Sequence, residues 1–354
     1  MKHVYVGTEQ GMEVMAEDTA GWRVERTILG GQEIAAVTKS PHDARVYVAT
    51  RRAGLFLVDP RDGTATPVGE GVLPKGLRCV AIAPGEPNTM FVGCEPAAIY
   101  KSTDGGASWH ECRAVAELAR ARNWQYHIPQ IPSHIRQILI DRRSAQRLYA
   151  AVQIGGVIRS EDGGLTWHDV VDCLDPDVHA IAQDRARPDV LYASTGGGGP
   201  MGGPHPPLPP AGFAFYRSQD AGKTWDTISA DLGRSHAVPI HLHPADDATV
   251  VAAAGRGTPP DWRRPEGADA ILLVSRDRGA TWTQLTDGLP PSFRTMVDSI
   301  DTDAGRTYLG IGGEGTKVLP PDMRHGSVYY ADALEGPWKK VPREFPVVYT
   351  VTAA

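Results

Sequence analysis

STDGGASW (102–109), SEDGGLTW (160–167), SQDAGKTW (218–225) and SRDRGATW (275–282) are four copies of one pattern, Ser-x-Asp-x-Gly-x-Ser/Thr-Trp. Each position has a local physical use. The Ser hydroxyl and Asp carboxylate can accept hydrogen bonds from backbone N–H groups inside a tight turn. The Gly supplies a positive φ that a side chain reaches only at a cost. The Trp is a large apolar anchor able to wedge between neighbouring sheets. Read functionally, Asp104, Asp162, Asp220 and Asp277 would be metal ligands or acids. Four copies on four repeats point instead to turn staples. Weaker versions stand at AEDTAGW (16–22), ADALEGPW (331–338) and DPRDG (59–63).

A second repeat counts the units. Short β-branched and aromatic runs recur at HVYVGT (3–8), RVYVAT (45–50), TMFVGC (89–94), RLYAAV (147–152), VLYAST (190–195), TVVAAA (249–254) and RTYLGI (306–311). Their central residues, from Tyr5 to Tyr308, are spaced 42, 44, 58, 43, 59 and 57 apart. A period near 43 with three inserts predicts a seven-bladed β-propeller of four-stranded antiparallel blades, all-β. Within a blade the strands run A (innermost), B (the LYAA-like run), C (ending in the motif) and D (after the Trp). The chain opens on a strand B, and FPVVYTVTAA (345–354) is a strand A with no B after it. It is therefore expected to complete blade 1 and close the ring, which removes open sheet edges. The expected single domain spans 1–354. Blade 1 is 2–28 plus 346–353, blade 2 is 32–70, blade 3 is 77–113 and blade 4 is 134–172. Blade 5 is 178–230, blade 6 is 236–286 and blade 7 is 294–342.

Alternating strand direction puts the B–C and D–A loops at one end, here called the top, with the repeated motifs underneath. All the extra sequence maps to the top: 113–133, 196–212, 255–270 and 313–326. The first half of 113–133 reads as a short helix with Ala114, Leu118 and Ala121 on one face. Long loops on a rigid scaffold commonly carry function, and these are read as the wall of a pocket at the channel mouth.

Aligning the A strands by their ends places Glu33, Arg78, His134, Arg136, His179, His236 and Arg294 at that mouth. The ends of strand B add Arg51 and Arg52. Arginine forks bind carboxylate or phosphate through paired hydrogen bonds. His134, His179 and His236 begin strands on three consecutive blades. They can hold a divalent metal, or serve as acid and base near neutral pH. The plainer alternatives are arginines paired with Glu33, Glu95 and Asp298, and histidines that are solvated rim residues. His127, His205 and His325 lie on inserts, and His241 and His243 sit lower on strand A.

Composition agrees with a turn-rich globular chain: 39 Gly, 29 Pro and 41% hydrophobic residues. A net charge of −6 leaves no general nucleic-acid footprint. No 18-residue apolar span is present, and MKHVYVGTEQ begins without an apolar leader, so no membrane partner and a cytoplasmic location are expected. Cys79, Cys94, Cys112 and Cys173 make no metal motif. Cys79 and Cys94 fall on adjacent strands of blade 3, and reduced, partly buried thiols are the expectation.

The four motifs and their spacing resemble the BNR or Asp-box repeat of sialidase-like and sortilin-like β-propellers, over nearly the whole chain. That family includes sialidases and other glycosidases, sortilin-type receptor ectodomains and photosystem assembly factors. The resemblance implies the propeller fold, and in the family the box is structural. Sialidases use an arginine triad, a Tyr nucleophile with a Glu partner, an Asp acid and an Arg-Ile-Pro segment. This chain has no Arg-Ile-Pro, and IPQIPSHIR (128–136) is only superficially similar. Three functions stay open. One is an enzyme acting on a small anionic, carboxylate-bearing substrate by hydrolysis or elimination, with or without a metal. Another is a non-catalytic scaffold for a protein or ligand. The third is a glycosidase with paired carboxylates.

Overall fold

The computed structural model describes residues 2–127, 130–170, 173–197, 214–229, 232–303, 305–313, 319 and 324–354. It is a seven-bladed propeller. Five blades are separate four-stranded sheets, and blades 7 and 1 share one sheet of eight strands. The innermost strands are Ile34–Lys39, Leu77–Ile82, His134–Ile140, Val178–Gln183, His236–Leu242 and Met296–Asp303 in blades 2 to 7. Blade 1 takes its inner strand from the C-terminal segment Val348–Ala353, which pairs antiparallel with Lys2–Thr8. The same segment meets blade 7 through a parallel bridge from Gly312 to Val348.

Hydrophobic residues fill the spaces between blades rather than one central core. Seven clusters account for the seven interfaces. The box tryptophans sit in them. Trp109 joins the cluster between blades 2 and 3, Trp167 that between 3 and 4, and Trp225 that between 4 and 5.

The boxes are turn staples in atomic detail. Ser160 Oγ donates to Asp162 Oδ1 at 2.8 Å and accepts from the Gly164 N–H at 2.9 Å. Asp162 Oδ1 accepts from the N–H groups of Leu165 and Thr166 at 3.0 and 2.9 Å. Trp167 Nε1 donates to the Gly164 carbonyl at 3.2 Å. The motif Gly is left-handed in all four boxes (φ 98°, 93°, 76° and 85° at Gly106, Gly164, Gly222 and Gly279), so a side chain there would be strained.

These bonds have a pH signature. Hydrogen bonds from the Ser108 hydroxyl and N–H hold Asp104 at about 2, and Thr281 does the same for Asp277. At Asp162 burial pushes the carboxyl up, but the bonds from Thr166 and Ser160 prevail and hold it at about 2. A carboxyl depressed below its unfolded value of about 3.9 stabilises the fold above that pH. The stabilisation is lost as pH falls towards 2. The urea midpoint is therefore expected to drop between pH 4 and pH 2, and to drop less when Asp104, Asp162 and Asp277 are all Asn. Equal pH slopes in the two proteins would count against the staple reading.

The insert after blade 3 contains the expected helix, Arg113–Ala121, but its buried face differs from the expected one. Val115 is buried and Ala114 and Leu118 pack partly against the core between blades 3 and 4, whereas Ala121 is exposed. The insert of blade 6 is anchored by Trp262, which is buried and donates to the Arg256 carbonyl at 2.9 Å. Most of 196–212 and 313–326 lies outside the described residues, as does His205. Cys79, Cys94 and Cys112 are buried free thiols.

Candidate functional site

Each inner strand carries a register irregularity near its start, at the same level in every blade. In blade 4, Ile135 faces Val152 and Gln137 faces Ala151, so Arg136 is an extra residue with no partner of its own. The corresponding extra residues are Tyr349 in blade 1, Ala35 in blade 2, Arg78 in blade 3, His179 in blade 5 and Asp298 in blade 7. Blade 6 has two, Val238 and Pro239, where proline cannot donate to the ladder. A bulge bends the strand and re-aims its side chain. Every one of these residues lines the central channel, a cavity of about 750 Å³. The propeller thus presents a ring made of Tyr349, Ala35, Arg78, Arg136, His179, Val238–Pro239 and Asp298, in blade order.

The ring is electrically lopsided. Blade 2 contributes the small Ala35, and Arg51 from the end of its strand B also lines the channel, with its guanidinium 4.4 Å from the centre of the Tyr349 ring. Arg51, Arg78 and Arg136 therefore share one arc across blades 2 to 4. Burial, then the charges of Arg78 and Arg136, push Arg51 down to about 9. Arg78 forms an ion pair with Glu95, and Arg136 Nη1 donates to Gln153 Oε1 at 3.2 Å.

His134 is buried beside this arc. Burial foremost, then Arg78, Arg136 and Arg51, hold it well below the usual histidine range. Its Nδ1 lies 3.5 Å from Arg78 Nη2 and 3.8 Å from Glu95 Oε2. His134 is thus a neutral imidazole beside the cations, with one ring N–H to donate. His179 Nδ1 meets the Ala237 carbonyl at 2.6 Å, and Nε2 lies 3.2 Å from Asp177 Oδ1. Burial alone would raise Asp177, but His179 chiefly, with His236 and Arg136, holds it below the usual carboxylate range.

Asp298 stands on the far side of the ring from Arg78 and Arg136. Burial pushes its carboxyl well above the usual range, against the pull of Arg136 and Arg51. Its buried Oδ2 has no hydrogen-bond partner among the described residues. The carboxyl group abuts Gly313, where a Cβ would come within 1.9 Å of Asp298 Cγ.

Several expected site residues fall elsewhere. His236 lies behind the wall: its ring is 4.9 Å from those of His179 and Trp262, and its Nδ1 donates to the Gly196 carbonyl at 3.2 Å. Burial foremost drops it to about 3, so it is neutral. His134, His179 and His236 direct their nitrogens to different partners. Among the described residues no three His, Cys, Asp or Glu side chains are arranged to hold a metal ion. Arg294 is exposed and donates through Nε to the Pro265 carbonyl at 3.0 Å. Arg52 is exposed, with Nε 3.5 Å from Glu33 Oε2, and neither residue is part of the channel wall. The side chain of His127 lies outside the described residues, and His325 is exposed. Asp177, Asp298 and Tyr349 are the site residues that the strand-end alignment did not select.

Comparison with known proteins places the fold. The Sortilin-Vps10 family model (sortilin, neurotensin receptor 3) matches residues 155–304. The GH74 enzyme of Niastella koreensis superposes with a TM-score of 0.63 at 16% identity, over 95% of this chain and 46% of that one. The GH74 xyloglucanase from Xanthomonas campestris gives 0.60 at 13% identity, over 87% of this chain and 45% of that one. The chain thus spans less than half the length of these two enzymes. YCF48 bound to D1 peptide gives 0.55 at 15% identity, over 88% of this chain and 87% of that one. No curated protein sequence matches. The family-model match and the propeller neighbours are consistent with a BNR/sortilin-like propeller family, and at these identities the structural likeness is one of fold.

Proposed function

We propose that the upper channel binds a small carboxylate-bearing molecule and acts on it by hydrolysis or elimination. The observation that carries this reading is the convergence of Arg51, Arg78 and Arg136, each half-buried, on one arc of the channel wall. The like charges of Arg78 and Arg136 act against the charge of Arg51, and an anion among the three guanidinium groups relieves that repulsion. His134, held neutral beside the arc, supplies a ring N–H as a hydrogen-bond donor beside the anion. A cavity of this volume suits a small ligand rather than a macromolecule.

The test is calorimetric titration with a panel of monocarboxylates and inorganic phosphate. Arg136→Ala is expected to weaken the best carboxylate by about 1.5–3 kcal/mol, roughly tenfold to a hundredfold, as for other charge-assisted contacts. A panel whose members all bind Arg136→Ala as well as the wild type would refute the reading.

A second reading is a protein-binding scaffold. It is supported by a groove of about 340 Å³ between the helix Arg113–Ala121 and the rim of blade 3, lined by Pro96, Ala97, Ala116, Ala119 and Trp124. YCF48, a propeller of similar fold, carries the D1 peptide. Under this reading, changes in the channel arginines leave function untouched and changes at Ala116 and Ala119 do not.

A further inference from the structure

We infer that Asp298 is a second ligand contact, and that the channel takes a carboxylate which also carries hydroxyl or carbonyl oxygens. The anionic end lies on Arg51, Arg78 and Arg136, and an oxygen further along meets the Asp298 carboxyl. This rests on the anion-binding reading and extends it from a charge to a substrate class.

The argument begins with the bulges. They bring one residue from each blade, and two from blade 6, to the channel wall, so blade order gives position around the ring. Asp298, on blade 7, faces the arc on blades 3 and 4 across the channel. Its placement depends on a specific vacancy. Gly313 is left-handed (φ 75°) and donates its N–H to the Val348 carbonyl at 2.7 Å, which leaves its Cα face open for the carboxyl. Any Cβ at that position would displace Asp298.

A buried carboxyl oxygen without a partner is costly, and native structures rarely keep one unless it has a use. Among the described residues Asp298 Oδ2 is such an atom, on a group that lines the channel. The charges that act on Asp298 are those of Arg136 and Arg51, the groups assigned here to the ligand's anion. An anion on those arginines withdraws their support from a charged Asp298, so the carboxyl then meets the ligand in its protonated form. A carboxylic acid both donates and accepts. It matches a hydroxyl or a carbonyl oxygen, and an alkyl chain leaves it unpaired. Sites built to pair with a polar group discriminate strongly against the analogue that lacks it.

The experiment compares gluconate with hexanoate, which share a six-carbon chain and one carboxylate, by calorimetry on the full chain and on Asp298→Ala. The wild type is expected to bind gluconate at least tenfold more tightly than hexanoate. Asp298→Ala is expected to bring gluconate to the level of hexanoate while hexanoate changes by less than twofold. Equal wild-type affinities for the two acids, or an undiminished preference in the variant, would overturn the Asp298 assignment and leave the anion reading standing. Binding of neither acid to the wild type would overturn both. Should the variant not fold, the wild-type ratio decides alone, and a ratio near one refutes the assignment.

Discussion

Removal of residues 346–354 is expected to leave a protein without a cooperative unfolding transition. The segment supplies the inner strand of blade 1, and its contacts run in three directions. It pairs with Lys2–Thr8 in its own blade and bridges to Gly312 in blade 7. Towards the channel, the N–H groups of Val351 and Ala353 donate to Ser299 Oγ and Asp301 Oδ2, each at 2.9 Å. Thr352 Oγ1 donates to the Val37 carbonyl of blade 2 at 3.0 Å. Val347, Val348 and Val351 are buried. At roughly 1.5–3 kcal/mol each, these three side chains alone represent a large share of a typical net stability of about 5–15 kcal/mol. The truncated chain also exposes the unpaired edge of Lys2–Thr8, a template for aggregation. Circular dichroism melts and size-exclusion chromatography check this. A truncated protein that melts cooperatively within a few degrees of the full chain would show that the ring does not depend on its closure.

The same segment marks the boundary between what the sequence disclosed and what it did not. The blade number, the closure and the role of the boxes were legible because each rests on a pattern local in the chain. The runs around Tyr5 to Tyr308 repeat at a regular spacing, and SEDGGLTW contains its own hydrogen-bond partners. The ring of bulges is a relation between two strands. Whether Asp298 is the extra residue depends on Val297 facing Ile311 and Ser299 facing Gly310, and neither pairing is written within MVDSID. Aligning strands by their ends therefore chose Arg294, which lies before the strand and is bound to the blade 6 insert. It chose Arg78, Arg136 and His179, which line the channel, because each of these bulges lies within two residues of the start of its strand. It misjudged His236, since blade 6 carries a two-residue irregularity at Val238–Pro239 and its first residue turns towards Trp262. The three histidines are not gathered on one point for a related reason. Adjacent strand starts fix Cα positions, whereas the His179 and His236 rings were already engaged by the carbonyls of Ala237 and Gly196.

Trp167→Ala is expected to cost about 3–5 kcal/mol, the usual range for emptying a buried aromatic site. The ring is 6% exposed and lies in the cluster between blades 3 and 4 with Phe91, Ile140, Leu148 and Ile158. Rigid sheets flank it on both sides, so little can collapse into the space. Asp162→Ala, in the same box, is expected to cost only about 1–3 kcal/mol, because it leaves turn N–H groups unpaired near solvent rather than opening a cavity. The two substitutions separate the anchor of the box from its staple. Neither residue touches the channel, so ligand binding by the folded fraction of either variant should match the wild type. Urea unfolding and calorimetric titration on the same samples measure both effects. An Asp162→Ala protein of full stability that had lost all binding would assign the box a functional role, since a turn staple cannot be dispensable for the fold and required at a site on the opposite end of the blade.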